Sequence, residues 1–586
     1  MQPKLTLAAA SLAGAILATA PSLHAQAVPG LKVEPCTIRG IDGPARCGTL
    51  DVWENRTTRS GRKIPVRFVV LPTRGSTPAR EAVVSIPGGP GQSAVDLAPY
   101  FGRELEPLRD TRDILLIDHR GTGGSNLLNC GLYGTGDALG SYLGPFYPAD
   151  RVAVCAKEWE GKADLAQYTS DAAADDMDEV RATLGYEKLN LIGGSFGTRG
   201  VLVYLRRHPE HARVGVLNGT VPVDVRYVLT LASDAQRALD GVFADCRAEA
   251  ACNAAFPDLP GSLRRAVERL SAGPVDVPIM HPETGKPATM PLTRDLFVEA
   301  VRYLTYSVGN AAMAPVMVHQ AANGDFGPIA EYALSSRRNI VADGSDGLYL
   351  SLTCAEDLAF FTLEEGRAAS AGTYIGDYRV RDQKAACASW PVGPVAAAAR
   401  VPVRSGAPVL LLSGQWDPVT PPAHAEQAMR TLSNARHVVI PSGAHSPWGL
   451  QGGPACVSRV TEAFIRAGDH RNLDVSCIQA LRRPPFLTTK LGGMPIELPA
   501  ERLARFAGRY RPADEDFTVV VEMKDGVLKQ VLPDGREFQL LPVSETRFRL
   551  AGAPFSSLTF VETDGRVTGL EARDGGAPVN VLRRVP

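Results

Sequence analysis

The run Leu189-Asn190-Leu191-Ile192-Gly193-Gly194-Ser195-Phe196-Gly197 constrains this chain more than any other. A short apolar stretch, Leu189 to Ile192, leads into Gly-x-Ser-x-Gly centred on Ser195, and a helical pattern, Gly200 to Arg207, follows. Strand, sharp turn, helix is the context in which a serine hydroxyl is lifted off the end of a sheet. Gly193 and Gly197 suit a turn with no room for side chains beside the serine. The helix start aims backbone N–H groups at negative charge that develops there.

A serine hydroxyl needs a base, and the base needs an orienting acid. In a strand-turn-helix setting of this kind the acid and then the histidine follow the serine along the chain. Pro408 to Leu412 reads as a buried parallel strand, with Asp417 in the loop after it. His437 to Ile440 reads as the next strand, and His445 lies in the loop that follows. Ser195, Asp417 and His445 are therefore the candidate catalytic set. A second N–H for an oxyanion is expected beside that of Phe196. Ala82 to Ile86 reads as a strand, and the glycine-rich loop Pro87-Gly88-Gly89-Pro90-Gly91 at its end offers Gly88 or Gly89. No lysine follows these glycines, which argues against a phosphate loop.

Ile86-Pro87-Gly88-Gly89-Pro90-Gly91, Asp118-His119-Arg120-Gly121-Thr122-Gly123-Gly124-Ser125 and Gly193-Gly194-Ser195-Phe196-Gly197-Thr198 occur in that order. Together they resemble the prolyl and tripeptidyl aminopeptidase branch of the α/β-hydrolases. Asp417-Pro418-Val419-Thr420-Pro421, the loop bearing His445, and Cys387-Ala388-Ser389-Trp390-Pro391 resemble the C-terminal segment of the tripeptidyl aminopeptidase group. The resemblance spans about residues 36 to 480. It implies release of residues or short peptides from free N-termini, with no metal or organic cofactor. The chain departs from the prolyl enzymes at Ile86-Pro87, where those usually carry His-Gly-Gly-Pro-Gly.

Alternating strand and helix signals up to Val214–Leu217 indicate an α/β class with a doubly wound, mostly parallel sheet. Residues 28–224 and 401–485 read as the two parts of this core, and 225–400, rich in amphipathic helices, as a helical cap inserted between nucleophile and acid. Arg482 to Pro499 reads as a linker. Residues 500–586 read as a small all-β module, with hairpin turns at Lys524-Asp525-Gly526 and Pro533-Asp534-Gly535. Within it, Leu503-Ala504-Arg505-Phe506-Ala507-Gly508-Arg509-Tyr510 resembles the lipocalin-like domains appended to some secreted serine hydrolases.

Residues 1–27 read as an export signal: Lys4, an apolar run from Leu5 to Ala20, and the small-x-small site Ala25-Gln26-Ala27. The apolar run falls short of the ~20 residues that span a bilayer, and no later stretch does so, which argues against stable membrane insertion. A periplasmic or secreted location agrees with ten cysteines, which fall into five neighbouring couples from Cys36 and Cys47 to Cys456 and Cys477. Sequence leaves their connectivity open. With 62 basic and 63 acidic residues and no basic run, nucleic-acid binding has no electrostatic support.

An aminopeptidase must also hold a substrate ammonium, which calls for a desolvated carboxylate. Glu356 is the first candidate and Asp357 the second, after the apolar stretch Leu348 to Leu352. Asp118 and His119 precede the serine, against the expected order, and read as a structural loop with Arg120 paired to a carboxylate. The expected substrate is a small peptide or acyl compound. An esterase or amidase using the same triad is the alternative enzyme, and a binding protein on a hydrolase scaffold is the alternative outside enzymes.

Overall fold

Val-, Leu- and Ile-rich runs that are buried on both faces build a central sheet, as expected for strands covered by helices on either side. The computed structural model describes residues 29–586 except 77–79, 135–138, 282–285, 343, 448, 514–517, 533–535, 552 and 577–578. The expected export signal at 1–27 and the turn Pro533-Asp534-Gly535 lie outside the described residues.

In chain order the strands are β1 (Leu31–Cys36), β2 (Ala45–Trp53), β3 (Lys63–Leu71), β4 (Glu81–Ile86), β5 (Asp113–Ile117), β6 (Lys188–Gly194) and β7 (Ala212–Asn218). A hairpin of β8 (Val275–Met280) and β9 (Pro287–Leu292) follows, then β10 (Val409–Gly414) and β11 (Ala435–Ile440). Nine of these form one sheet in the order β1-β2-β3-β5-β4-β6-β7-β10-β11. The pairs β4–β5, β4–β6, β6–β7, β7–β10 and β10–β11 are parallel, while β1 to β3 and β3–β5 pair antiparallel. Register brings the carboxyl ends level, with Ile86 opposite Gly193, Gly194 opposite Asn218 and Gly414 opposite Ile440. Loops after β4, β6, β10 and β11 thus leave the same edge, where ligands of open parallel sheets bind. Alternate residues feed two cores: Val84, Leu115 and Leu411 on one face, Val83, Leu116 and Leu410 on the other.

Between β7 and β10 the chain is mainly helical, with long helices at Tyr227–Ala248, Arg294–Leu304, Gly327–Ala342, Asp346–Glu356 and Tyr378–Cys387. One buried carboxylate ties three of them together. Glu299 pairs with Arg337 at 2.6 Å and with Arg379 at 3.1 Å. The hairpin β8–β9 within this insertion is a strand pair that helical periodicity does not reveal. Pro278 and the exposed Asp276 interrupt its apolar run, yet Val277 and Ile279 alternate inward.

Residues 508–585 form a closed antiparallel barrel of eight strands, from Gly508–Pro512 to Asn580–Val585. Lys524-Asp525-Gly526-Val527 makes a two-residue hairpin turn with Asp525 at φ 55° and Gly526 at φ 78°. Both central residues are left-handed, as such turns require. Phe506, Tyr510, Phe548 and Phe560 fill the barrel, so it encloses packed side chains. It docks on the helical insertion through a buried Arg549–Glu331 ion pair and a Tyr332–Phe555 edge contact with centroids 5.5 Å apart. The segment 482–499, expected as a linker, is irregular but seated. Gln320 exchanges two hydrogen bonds with the Leu491 backbone, at 2.9 and 3.1 Å, and Phe486 is buried.

Five disulfides join the neighbouring couples: Cys36–Cys47, Cys130–Cys155, Cys246–Cys252, Cys354–Cys387 and Cys456–Cys477. No helix among the described residues is long and apolar enough to cross a membrane. Peptide mapping without reductant is expected to recover these five pairs and no others. A Cys354→Ser/Cys387→Ser double variant, which opens the longest loop, should lose about 2–4 kcal/mol of stability by denaturant titration.

Candidate active site

Ser195 follows β6 at φ 53°, a left-handed conformation that non-glycine residues seldom adopt. Its N–H donates to the Asn218 carbonyl at 2.8 Å, which ties the turn to β7. Close packing enforces the turn. A Cβ at Gly193 would lie 2.6 Å from the Gly197 carbonyl oxygen, and one at Gly197 the same distance from the Pro87 oxygen. The helix Gly197–Arg207 starts directly after Phe196.

Asp417 and His445 meet in front of this turn. His445 Nδ1 lies 2.8 Å from Asp417 Oδ2, and the Thr420 hydroxyl donates to the same oxygen at 2.6 Å. Asp417 Oδ1 accepts the Val419 and Thr420 N–H groups at 2.7 and 2.8 Å. Burial alone would raise this carboxyl. The His445 ring and the Thr420 bonds overcome burial and hold the group at about 2, so it stays ionised. An ionised Asp417 accepts the Nδ1 proton and leaves Nε2 of His445 free to act as a base. Tyr306 borders the histidine edge-on at 5.4 Å, and its carbonyl accepts the Ser446 N–H at 3.0 Å.

Ser195, Phe196 and His445 line one cavity of about 920 Å³ together with Gly88 and Gly89. A Cβ at Gly88 would stand 3.0 Å from Ser195 Cβ, so bare backbone is what fits beside the hydroxyl. The residues expected around an oxyanion are thus in one place.

The two acids expected to hold a substrate ammonium are committed elsewhere. Asp357 grips Arg199 through both oxygens, at 2.9 and 3.0 Å. Glu356 accepts the Ser170 N–H and hydroxyl, each at 2.7 Å. Neither lines the cavity; Asp357 fastens the helical insertion to the helix after Ser195, and Glu356 fastens it to the start of the helix Ser170–Thr183. The carboxylates that do line it are Glu104 and Asp346. Burial raises Glu104, which is hydrogen-bonded to Tyr100, and pushes Asp346 up to about 6. Their signal in sequence is weak, because neither sits in a motif.

The Asp118-His119-Arg120 loop is structural. Asp118 binds Arg67, Ser93 and two backbone N–H groups, and Arg120 pairs with Asp176 through both oxygens at 2.7 and 2.8 Å. Burial lowers the basicity of His119, a poor place for a proton carrier. One positioning residue has no motif either. Arg237, on the helix Tyr227–Ala248, donates to the carbonyls of Gln415 and Asp417, at 2.9 and 2.6 Å, and so fixes the acid loop.

Thr420→Val removes a hydrogen bond to a buried charge and is expected to cost about 1.5–3 kcal/mol. The folded Asp417 carboxyl, at about 2, lies below its ordinary 3.8. Its contribution is therefore complete above pH 3.8 and lost as pH falls through about 2. The stability gap between wild type and Thr420→Val should be constant above about pH 4 and shrink below it, as chemical denaturation across that range would measure.

Known proteins resemble this chain in sequence. Residues 81–273 match the model of the alpha/beta hydrolase fold, and residues 372–477 that of the TAP-like protein family. Serine protease Hip1 of Mycobacterium tuberculosis is 24% identical over 480 residues, covering 73% of this chain and 86% of that protein. Tripeptidyl aminopeptidase of Streptomyces lividans is 28% identical over 222 residues, covering 36% of this chain and 41% of its own length. Among solved structures, proline iminopeptidase of Mycobacterium smegmatis aligns with 72% of this chain and 98% of its own, at 14% identity and a TM-score of 0.36. The motif order, the sheet and the two family matches agree: the chain carries an α/β-hydrolase fold with a TAP-like C-terminal segment.

Proposed function

We propose that this protein is an exported exopeptidase that releases residues or short peptides from free N-termini through Ser195, His445 and Asp417. The observation that carries the reading is the left-handed Ser195 turn in one cavity with His445, whose ring is fixed by a buried, ionised Asp417. His445 takes the proton of Ser195 as the hydroxyl attacks the acyl carbon. The N–H groups of Phe196 and of Gly88 or Gly89 hold the oxyanion. His445 then protonates the leaving amine, and water releases the acyl group by the reverse sequence. The names of two relatives, a serine protease and a tripeptidyl aminopeptidase, support peptide substrates. Five disulfides support an oxidising compartment.

The helical insertion acts as a cap in this reading, and Asp346 receives the substrate ammonium. It sits beside Ser345, whose N–H donates to the Gly91 carbonyl at 3.0 Å, so it stands next to the loop of Gly88 and Gly89. Among the described residues it forms no ion pair; it accepts the Leu132 N–H and lies in the field of Arg151, yet burial outweighs both and holds its carboxyl up near 6. Glu104 is the second acid within the cavity.

Ser195→Ala is expected to lower kcat by roughly 10⁴ or more while the fold survives, and a fluorophosphonate should label Ser195 in the wild type. Activity retained in the variant, or labelling elsewhere, would overturn the assignment. Peptidyl anilides with free N-termini should be cleaved roughly tenfold to hundredfold faster than acetylated ones, and Asp346→Asn should close that gap. As pH falls through about 6, protonation of Asp346 should raise KM for free-amine substrates only. Equal rates on free and acetylated substrates would favour an esterase or amidase.

A further inference from the structure

Arg302 lies on the helix Arg294–Leu304 and lines the cavity that holds Ser195 and His445. It is 1% exposed, and among the described residues it forms no ion pair. Its Nη2 donates to the Tyr227 hydroxyl at 3.3 Å, and its Nε has no partner. The guanidinium is flanked by the rings of Tyr303 and Tyr306, with centroids 5.5 and 5.0 Å from Cζ. Two aromatic faces soften the desolvation of a cation and do not neutralise it.

The buried acid on the same helix as Arg302 is already engaged. Glu299 serves Arg337 and Arg379, so these three arginines share one carboxylate. Asp234 lies 3.6 Å from His424 with its Oδ2 free of hydrogen bonds, and burial holds its carboxyl up near 6 against the fields of Arg237 and Arg302. The insertion therefore presents to the cavity a guanidinium that, among the described residues, no carboxylate meets in an ion pair. An unpaired buried charge costs several kcal/mol unless an anion or water meets it.

We propose that Arg302 is an anion subsite of this cavity and binds a carboxylate of the substrate, so that acidic or carboxy-terminated short peptides are the preferred class. This rests on the peptidase reading above and names its substrate more closely. A guanidinium suits a carboxylate because its planar donors match the two oxygens. Distance sets the position. The Tyr306 ring neighbours both Arg302, 5.0 Å from Cζ, and His445, with centroids 5.4 Å apart, and an extended chain advances about 3.3–3.6 Å per residue. The carboxylate thus belongs to a residue within a few positions of the bond cleaved. It is either an Asp or Glu side chain or the α-carboxylate of a short peptide. With Asp346 in the same cavity, the site carries one group for each end of a zwitterion.

The test compares matched peptides within each protein, so changes in basal turnover cancel. One pair differs in a free or amidated C-terminus. Others carry Asp or Asn, one position at a time, within three residues of the scissile bond. Wild type should favour the acidic member of at least one pair by roughly tenfold to hundredfold in kcat/KM. The pair that responds identifies terminus or side chain. Arg302→Gln should bring that ratio to within about threefold of unity. If Arg302→Gln is too slow to assay, calorimetric Kd values for the same pair on Ser195→Ala, with and without Arg302→Gln, read the same gap. Wild type indifferent to charge in every pair overturns the subsite, as does a gap that survives Arg302→Gln. A structural role through Tyr306 would slow both members of each pair alike. Failure of fluorophosphonate labelling at Ser195 would sink the peptidase reading itself, and the charge ratio does not depend on that result.

Discussion

Everything at the active edge depends on how closely the turn at Ser195 can approach the end of β4. Gly197 lies so near the backbone of Ile86 and Pro87 that no side chain fits there, and a side chain at Gly88 would crowd Ser195. The serine is left with positive φ, a strain of ~1–3 kcal/mol that the surrounding packing sustains. In return the hydroxyl, the loop of Gly88 and Gly89 and the start of a helix occupy one small volume. Parallel register then delivers the acid and base loops to the same edge, because β7, β10 and β11 end level with β6.

Charge holds the helical insertion over that edge. Asp357 and Glu356 act at Arg199 and Ser170, Arg237 holds the acid loop, and Glu299 gathers Arg337 and Arg379. These are buried pairs, so losing one partner costs more than the pair contributes relative to an apolar replacement. Their value lies in fixing one geometry, since each joins elements distant in sequence. Acids bound to arginines in this way have no capacity left for a substrate, whereas Asp346 and Glu104 line the cavity without an ion pair among the described residues.

Much of this was legible in the chain. Ser195, Asp417 and His445 stood out because each follows an apolar strand run, and loops at strand ends carry their side chains to a predictable edge. Neighbouring cysteine couples and the Lys524-Asp525-Gly526 turn were readable for equally local reasons. What stayed hidden depends on long-range contact. Glu356 looked available from its apolar flank, but Ser170, far away in sequence, occupies it. Arg302 has the sequence setting of any helical arginine, and only the fold shows that no carboxylate among the described residues pairs with it. The hairpin of β8 and β9 was masked by Pro278, and the 482–499 segment by its prolines, because pattern alone does not show what an irregular stretch packs against.

The disulfides share one property that their positions make plain. Each joins a cysteine to the next one along the chain, across 6 to 33 residues. An oxidant that couples thiols in the order in which they emerge from synthesis or translocation would make the native set at the first attempt. Such a chain has little need of an isomerase. Each crosslink also stays within one neighbourhood, so none staples the barrel or the helical insertion to the sheet. Reduction would loosen the parts one at a time and leave their mutual docking to ion pairs and apolar contact.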